Sequence, residues 1–473
     1  MLRPWKLEIR IDKELDKAIY LQIADGIIAD IQIGRLEAGS VLPGSRSMAV
    51  ELGVNRNTVV EALNVLINEE WLVSKERKGT FVSAVLPVSK KQATEAVPVQ
   101  QQSVDSEYYQ IRFDDGHPDS QIAPVAALAR AYRQIFNRKS KWQMMGYTDE
   151  FGDVQFRKAI ANMLNHQRGM HIDEQQMCVT RGSQMAMYLT AQCLLSPNDY
   201  VMIEHPGYKP AWKAFESSGA TLLTVGVDQD GLVIDDVLRH LNTYDRIKAI
   251  YITPHHQYPT TVTLSLQRRL ELIRLSNAYR FTIIEDDYDN EFHFGYRPIL
   301  PLCSHLELNN YVYIGTMSKV VAPALRIGFL VTKNVALLNK IGALRKIIDV
   351  QGDTIMEQAV LQLIADGTIK RHLKKAHAYY KDKRNFTNGL LVKHLKEKVD
   401  YVIPEGGMAF WIVPKSDVDW EGIDQQLRSK SIKIILPEAY SINEPVKGMR
   451  LSYGSLTKVQ LEFGIVQLAE VLS

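Results

Sequence analysis

A lysine set between two hydroxyl residues is where side-chain types and spacing in this chain first suggest chemistry. The run Tyr311–Ile314 is apolar and β-rich and closes in Gly315-Thr316. Ser318 and Lys319 follow, and Arg326 comes before another apolar run. At the end of a buried strand, the lysine amine can form a Schiff base with an aldehyde, while the hydroxyls and a guanidinium hold a phosphate. An exposed lysine in a turn would have the same local sequence, so the rest of the chain must decide.

Four further stretches bear on that choice. Thr180-Arg-Gly-Ser183-Gln184 precedes a helix whose inner side takes Met185, Ala186, Tyr188 and Leu189, and its free N–H groups form a seat for a phosphate. Glu204-His-Pro-Gly-Tyr208 ends a strand in a turn and offers an aromatic face for a flat heterocycle. Ile283-Ile-Glu-Asp286-Asp-Tyr288 ends a buried strand in acids, where a carboxylate can hold a protonated pyridine nitrogen and Tyr288 the ring's phenolic oxygen. Nearby His255, His256 and His293 leave a metal site open for this segment taken alone. Arg450, in the late strand Met449–Tyr453, can clamp a carboxylate.

These groups need a scaffold. The length of 473 residues suggests two or three domains, and 46% hydrophobic with 23% charged residues is ordinary globular composition. The net charge of +2 excludes a polycation, and three cysteines without ligand spacing argue against a disulfide framework or a metal cluster. The first residues show no secretory leader, and no apolar run reaches the roughly 18 residues of a membrane span. A soluble, cytoplasmic protein is expected. From residue 108 onward, apolar runs such as Tyr200–Ile203, Ala249–Ile252, Thr282–Ile284 and Ile327–Val331 alternate with helical patterns. This predicts an α/β domain on a mostly parallel sheet, with the polar motifs at strand ends.

The first 84 residues read differently. A helix from Tyr20 carries Ile23, Ile27, Ile28 and Ile31 on one side; Ser45 reads as the cap of a short helix over 46–52; a third helix opens at Val54–Thr58. Trp71–Ser74 and Thr80–Ser83 alternate as a hairpin wing. Together these elements predict an α+β winged helix-turn-helix. Arg56, Asn57 and Thr58 at the third helix's start suit base and phosphate contacts, and Arg46, Lys78 and Gly79 are placed for the DNA backbone. Residues 1–83 hold 11 Lys+Arg against 12 Asp+Glu, so any basic character is local, at Arg46, Arg56, Lys75, Arg77 and Lys78. Residues 85–107, with Pro87 and Pro98 and no periodicity, read as a linker.

Leu42-Pro-x-Ser-Arg46, Leu52-Gly-Val-x-Arg-Asn-Thr-Val59 and Gly79-Thr-Phe-Val82 resemble the winged helix of GntR-type bacterial regulators, departing at Glu70-Trp71 and Arg77-Lys78. Residues 108–473 resemble fold-type-I aminotransferases. The resemblance rests on Phe113-x-x-Gly-x-Pro-Asp119, Glu204-x-Pro-Gly-Tyr208, Pro254-x-x-Gln-Tyr-Pro-Thr260, Glu285-Asp-Asp-Tyr288, Gly315-Thr-x-Ser-Lys319, Arg326-Ile-Gly328, Gly406-Gly407 and Arg450-Leu451. It departs at Thr261, where glycine is usual, and at Phe156. It implies pyridoxal 5′-phosphate as cofactor and no metal. Lys319 would be the Schiff-base lysine, with Asp286 at the pyridine nitrogen, Tyr288 at the ring oxygen and Tyr208 stacked on the ring. Ser183, Gln184, Thr316, Ser318 and Arg326 would surround the phosphate, with Tyr147 reaching the phosphate of a neighbouring subunit. Arg450 would take an effector carboxylate.

The two units in this order resemble the MocR (GabR-like) regulators. That implies a bacterial, cytoplasmic, homodimeric transcription regulator. It would bind double-stranded DNA and sense an amine, an amino acid or pyridoxal phosphate through imine exchange at Lys319. The alternative is a working aminotransferase acting on an amino acid.

Overall fold

The computed structural model describes residues 8–76, 78–87, 109–137, 142, 145–295, 299–442 and 446–472. The chain divides into two compact units, Met1–Asp105 and Ser106–Ser473. Most of the linker expected over 85–107, from residue 88 on, lies outside the described residues, as does Arg77 at the wing.

The first unit packs α1 (Ile19–Gln32), α2 (Ser45–Leu52) and α3 (Arg56–Asn68) beside a hairpin of β1 (Leu72–Lys75) and β2 (Gly79–Val82). Its core takes Ile23, Ile27 and Ile31 from α1 and Val59, Ala62, Leu63 and Leu66 from α3, the faces that helical spacing selects. Asn55 caps α3, its side chain accepting from the Asn57 N–H at 2.9 Å. The expected Ser45 cap is corrected: Ser45 is the first residue of α2, and Gly44 occupies the cap without a side-chain bond. Gly53 ends α2 in the left-handed region (φ 62°), which glycine adopts without Cβ strain.

The second unit opens with β3 (Ile111–Arg112), α4 (Val125–Asn137) and α5 (Val154–Arg168). Next come β4 (Met177–Thr180), α6 (Ser183–Leu194), β5 (Tyr200–His205), α7 (Lys209–Glu216), β6 (Thr221–Asp228) and β7 (Gly231–Leu232). They are followed by α8 (Ile234–Thr243), β8 (Ile247–Ile252), α9 (Leu266–Tyr279), β9 (Thr282–Asp287), β10 (Tyr311–Thr316) and β11 (Gly328–Val331). These strands form an eight-stranded sheet in the order β4-β11-β10-β9-β8-β5-β6-β7. The central pairs β10–β9, β9–β8, β8–β5 and β5–β6 are parallel; β11 runs antiparallel to both neighbours. The expected mostly parallel sheet is present. Its middle strands are buried almost throughout, as strands covered on both faces must be.

After α10 (Val335–Ile348), α11 (Thr354–Ala365) and the long α12 (Thr368–His394) comes a smaller layer. It consists of β12 (Val399–Tyr401), β13 (Ala409–Pro414), α13 (Trp420–Ser429), β14 (Ile432–Lys433), β15 (Met449–Ser452) and α14 (Lys458–Val471). β14 pairs with β3, so the start of this unit is stitched to its C-terminal layer. This brings the loop after β3 to the cleft described next.

Candidate functional site

At the start of α3, Asn55, Arg56 and Asn57 are exposed and Thr58 is half-buried. Arg46, Lys78 and Gly79 are exposed on the same unit. The only recorded side-chain bond of Arg56 among the described residues is a long one, from Nε to Ser45 Oγ at 3.4 Å, which ties α3 to α2. Lys75 lies over the Phe81 ring at 4.9 Å, which stiffens the wing. These donors are available to a polar partner, as a recognition helix requires.

In the second unit, the parallel strands β8, β9 and β10 end along one edge of the sheet. There they border a cleft of about 760 Å³, its open mouth included. Lys319, Asp286, Tyr288, Tyr208, Ser183, Thr316, Ser318 and Arg326 all line it, so residues up to 143 positions apart in sequence meet there. Lys319 follows β10, and its Nζ donates to the Gly116 carbonyl at 2.6 Å. Burial pulls the lysine pKa down, against the opposing pull of Asp114 and Asp289. A neutral amine is the nucleophilic form.

Asp286 sits one residue from the end of β9. Its Oδ2 accepts from the Tyr251 hydroxyl at 2.8 Å, while Oδ1 is buried without a partner. Burial pushes its carboxyl up to about 7, which the Tyr251 bond opposes and the charges of Asp287, Asp289 and Glu204 reinforce. An orphaned buried acceptor facing a cleft is what a ring N–H would satisfy. Behind it, Asp287 is held by Arg168 (2.6 Å), Tyr313 (2.6 Å) and His255 (3.2 Å). Burial raises the Asp287 pKa, but Arg168 and His255 outweigh it and bring the carboxyl down to about 2. His256 likewise pairs with Asp289 at 2.7 Å. Two of the histidines that left a metal open, His255 and His256, are thus each engaged with one carboxylate. Among the described residues, no group of three or more His, Cys, Asp and Glu could hold a metal.

The phosphate seat takes shape at the start of α6. Gly182 (φ 80°) caps this helix, and a Cβ there would lie 2.7 Å from Arg326 Nη2, so only glycine lets the guanidinium close in. The first-turn N–H groups of a helix have no intrahelical acceptor and favour an anion. Ser183 borders the cleft. The Gln184 side chain turns away to donate to the Pro210 carbonyl at 2.8 Å, so only its backbone belongs to the seat. Tyr188 is corrected as well: it is 41% exposed, and Met187 takes the inner side of α6. Thr316 Oγ1 lies 3.0 Å from Ser318 Oγ and accepts from its backbone N–H at 3.1 Å, which orients both hydroxyls.

Two expected residues stand apart. Arg450, on β15, is 1% exposed and does not line the cleft. Its Nη1 donates to the Pro259 carbonyl at 3.0 Å, and its guanidinium lies 5.0 Å over the Tyr258 ring. Tyr147 is 89% exposed and does not line the cleft of its own chain. Thr261, which stands where the resembled family has glycine, keeps the left-handed backbone (φ 66°) despite its branched Cβ.

The cleft also takes residues that sequence reading did not assign: Asp115, His117, Tyr251, Thr253 and Tyr258. Asp115 and His117 fall inside the Phe113–Asp119 motif, and Tyr258 inside Pro254–Thr260, so their positions were marked though their roles were not. Tyr251 lies in an apolar strand and reads as core.

The sequence profile described as "Bacterial regulatory proteins, gntR family" matches residues 19–82. A probable rhizopine catabolism regulatory protein, MocR, of Rhizobium meliloti is 26% identical over 97% of this chain and 94% of its own length. Aromatic-amino-acid aminotransferase 1 of Thermococcus litoralis is 25% identical over 76% of this chain and 86% of its own. Among solved structures, the α-aminoadipate aminotransferase LysN of Thermus thermophilus, complexed with N-(5'-phosphopyridoxyl)-L-leucine, covers 76% of this chain and 92% of its own. Its TM-score is 0.70 at 24% identity. The first unit is a GntR-type winged helix, and the second has the fold of the fold-type-I aminotransferases.

Proposed function

We propose that this chain, a GntR-type winged helix joined to an aminotransferase-like unit, is a DNA-binding transcription regulator. Its large unit binds pyridoxal 5′-phosphate and responds to an amine, an amino acid or the cofactor itself. Homologues named as transcription regulators, of which MocR matches along nearly the whole chain, support the regulatory part. The observation that carries the cofactor part is the unpartnered Asp286 Oδ1 in the same cleft as Lys319.

The residues present fit the group. Asp286 would take the ring N–H, Tyr288 the ring oxygen and Tyr208 a ring face. The α6 N-terminus, Ser183, Thr316, Ser318 and Arg326 would hold the phosphate. When bound, the cofactor would supply an electrophilic aldehyde carbon open to a primary amine, with Lys319 as the chain's own amine beside it. The chain's own part is to lower the Lys319 pKa by burial, to fix Asp286 through Tyr251, and to keep the rim of the cleft polar. A ligand alters DNA affinity only by binding the DNA-competent and incompetent arrangements unequally. A homodimer in the cytoplasm fits this reading. Tyr147, exposed on its own chain, would serve the cleft of a second copy, and two winged helices would read two half-sites.

The test is a titration of purified protein with pyridoxal phosphate, then with amines, reading the visible absorbance band and the affinity for promoter DNA in parallel. Lys319→Ala should abolish the band while leaving DNA binding by the winged helix intact. A band of unchanged position and strength in that variant would overturn the lysine assignment. A second reading, a working aminotransferase, draws on the completeness of the set Lys319, Asp286 and Tyr208. It requires steady turnover with a keto acid, and its absence across a broad panel would dismiss it.

A further inference from the structure

The unit expected to meet DNA is not basic. Residues 1–83 hold 11 Lys+Arg against 12 Asp+Glu, although duplex binding draws much of its affinity from phosphates neutralised by cations. The positive charge of this chain is gathered elsewhere. The long helix α12 holds eight Lys+Arg against one Asp, in a chain whose total is +2, so the remainder is net acidic.

Helical spacing sorts α12 into two faces. Ile369, Ala376, Tyr380, Leu390 and Leu391 are buried and join the cores of the large unit. Lys370, Arg371, Lys374, Lys375, Lys381 and Lys393 are all exposed. At roughly 3.6 residues per turn these six fall within an arc of about 140° opposite the buried face, and the first five span about 17 Å of helix axis. None of the six has an ion pair among the described residues. Arg371 donates to uncharged oxygens, the Asp366 carbonyl and Thr368 Oγ1, each at 3.0 Å, and Lys381 reaches the Phe294 carbonyl at 3.5 Å. The acids nearest in sequence are already engaged. Asp366 Oδ1 accepts from the Thr368 N–H at 2.8 Å, and Asp382 pairs with Lys458 at 2.8 Å.

Unpaired cations crowded on one arc repel one another and favour a polyanion. A second copy presenting the same face would be repelled by it. A duplex carries one phosphate charge per about 1.7 Å of its axis, so a cationic ridge of this length can meet several phosphates at once.

We propose that the exposed face of α12 is a second DNA-contacting surface, which holds backbone phosphates irrespective of sequence and supplies the electrostatic attraction that the winged-helix unit lacks. This rests on the DNA-binding reading given above.

The experiment uses the full-length protein and a mixed-sequence duplex, read by fluorescence anisotropy across a salt series. Wild type is compared with a triple variant carrying Lys370→Gln, Lys374→Gln and Lys375→Gln. The slope of log affinity against log salt should fall by about 0.9 for each lysine that meets a phosphate, with an affinity loss of at least about tenfold at low salt. Arginine at the same three positions should keep the wild-type slope. If the triple glutamine variant unfolds early, the single variants give the same reading, each lowering the slope by at most about 0.9. An unchanged slope in glutamine variants that fold would overturn the proposal. So would tighter binding of poly-L-glutamate than of the duplex, lost in the triple variant, since the face would then belong to an acidic protein. A wild-type protein that binds no duplex at any salt would instead remove the DNA-binding reading beneath the proposal, so the two failures are distinct.

Discussion

The polar edge of the winged helix and the polar cleft of the large unit are built in opposite ways. At the edge, Asn55, Arg56 and Asn57 are consecutive, exposed and nearly free of internal bonds; the backbone of one short helix places them all. In the cleft, the groups come from several elements far apart in sequence. Most are held by a named partner, and the solvation lost on burial shifts the pKa of Asp286 and Lys319. The edge is ready for a partner that arrives with its own charge and water. The cleft is preorganised for a small group that replaces water.

This contrast can be broken most sharply at Asp286. Its carboxyl sits at about 7 in the folded chain against 3.8 for the free residue. The sign follows from linkage. A carboxyl raised on folding contributes stability that is present below about pH 4 and is lost as pH rises through about 7. Asp286→Asn does not titrate, and its amide oxygen can still accept from Tyr251. Without cofactor, the variant should therefore gain on the wild type as pH rises from 4 to 8, by on the order of 4 kcal/mol at the top of the range, read by denaturant unfolding at several pH values. It should also lose most cofactor affinity. A pH-independent difference would show that the carboxylate is better solvated than its burial implies.

The edge predicts the converse pattern. Arg56→Ala should weaken specific DNA binding by roughly 1–3 kcal/mol, measured at fixed salt, and lower the salt slope if the contact is to phosphate. Stability and the cofactor spectrum should stay unchanged. If unfolding shifts as strongly as DNA binding, the 3.4 Å contact to Ser45 would be a structural tie and the contrast between the two regions would blur.

The smallest effect is expected at Thr261. Its left-handed backbone costs a branched residue about 1–2 kcal/mol, and glycine offsets part of the relief through unfolded-state entropy. Thr261→Gly should be neutral to slightly stabilising, by less than about 1 kcal/mol, in thermal unfolding of the protein. Clear destabilisation would mean that the threonine methyl or hydroxyl packs usefully in this turn.

The contrast also explains what was legible. The winged helix could be read nearly residue by residue because its signals are local: apolar spacing, a glycine turn and a polar first turn. The miss at Ser45 was a one-residue shift at a helix start, where Gly44 and Ser45 are both plausible caps. In the cleft, Lys319 and Asp286 were legible because each falls near the end of a strand, and strand ends in a parallel sheet share an edge. The direction of the Gln184 side chain was not legible, because at a helix start it depends on what the next helix offers, here the Pro210 carbonyl. The stacking of Arg450 on Tyr258 depends on a contact across 192 residues that no local pattern encodes.

The antiparallel turn-back of β11 has one more consequence. Thr316 pairs with Gly328 across the sheet, and the Met317 N–H bonds to the Ile327 carbonyl at 2.9 Å, so the excursion between them is clamped at its neck. Lys319 and Arg326 both ride on that clamped excursion. The span between the amine and the guanidinium is therefore metered by the chain like the jaws of a fixed-gauge caliper, and a single residue inserted anywhere between them would mis-set it while leaving every strand in place.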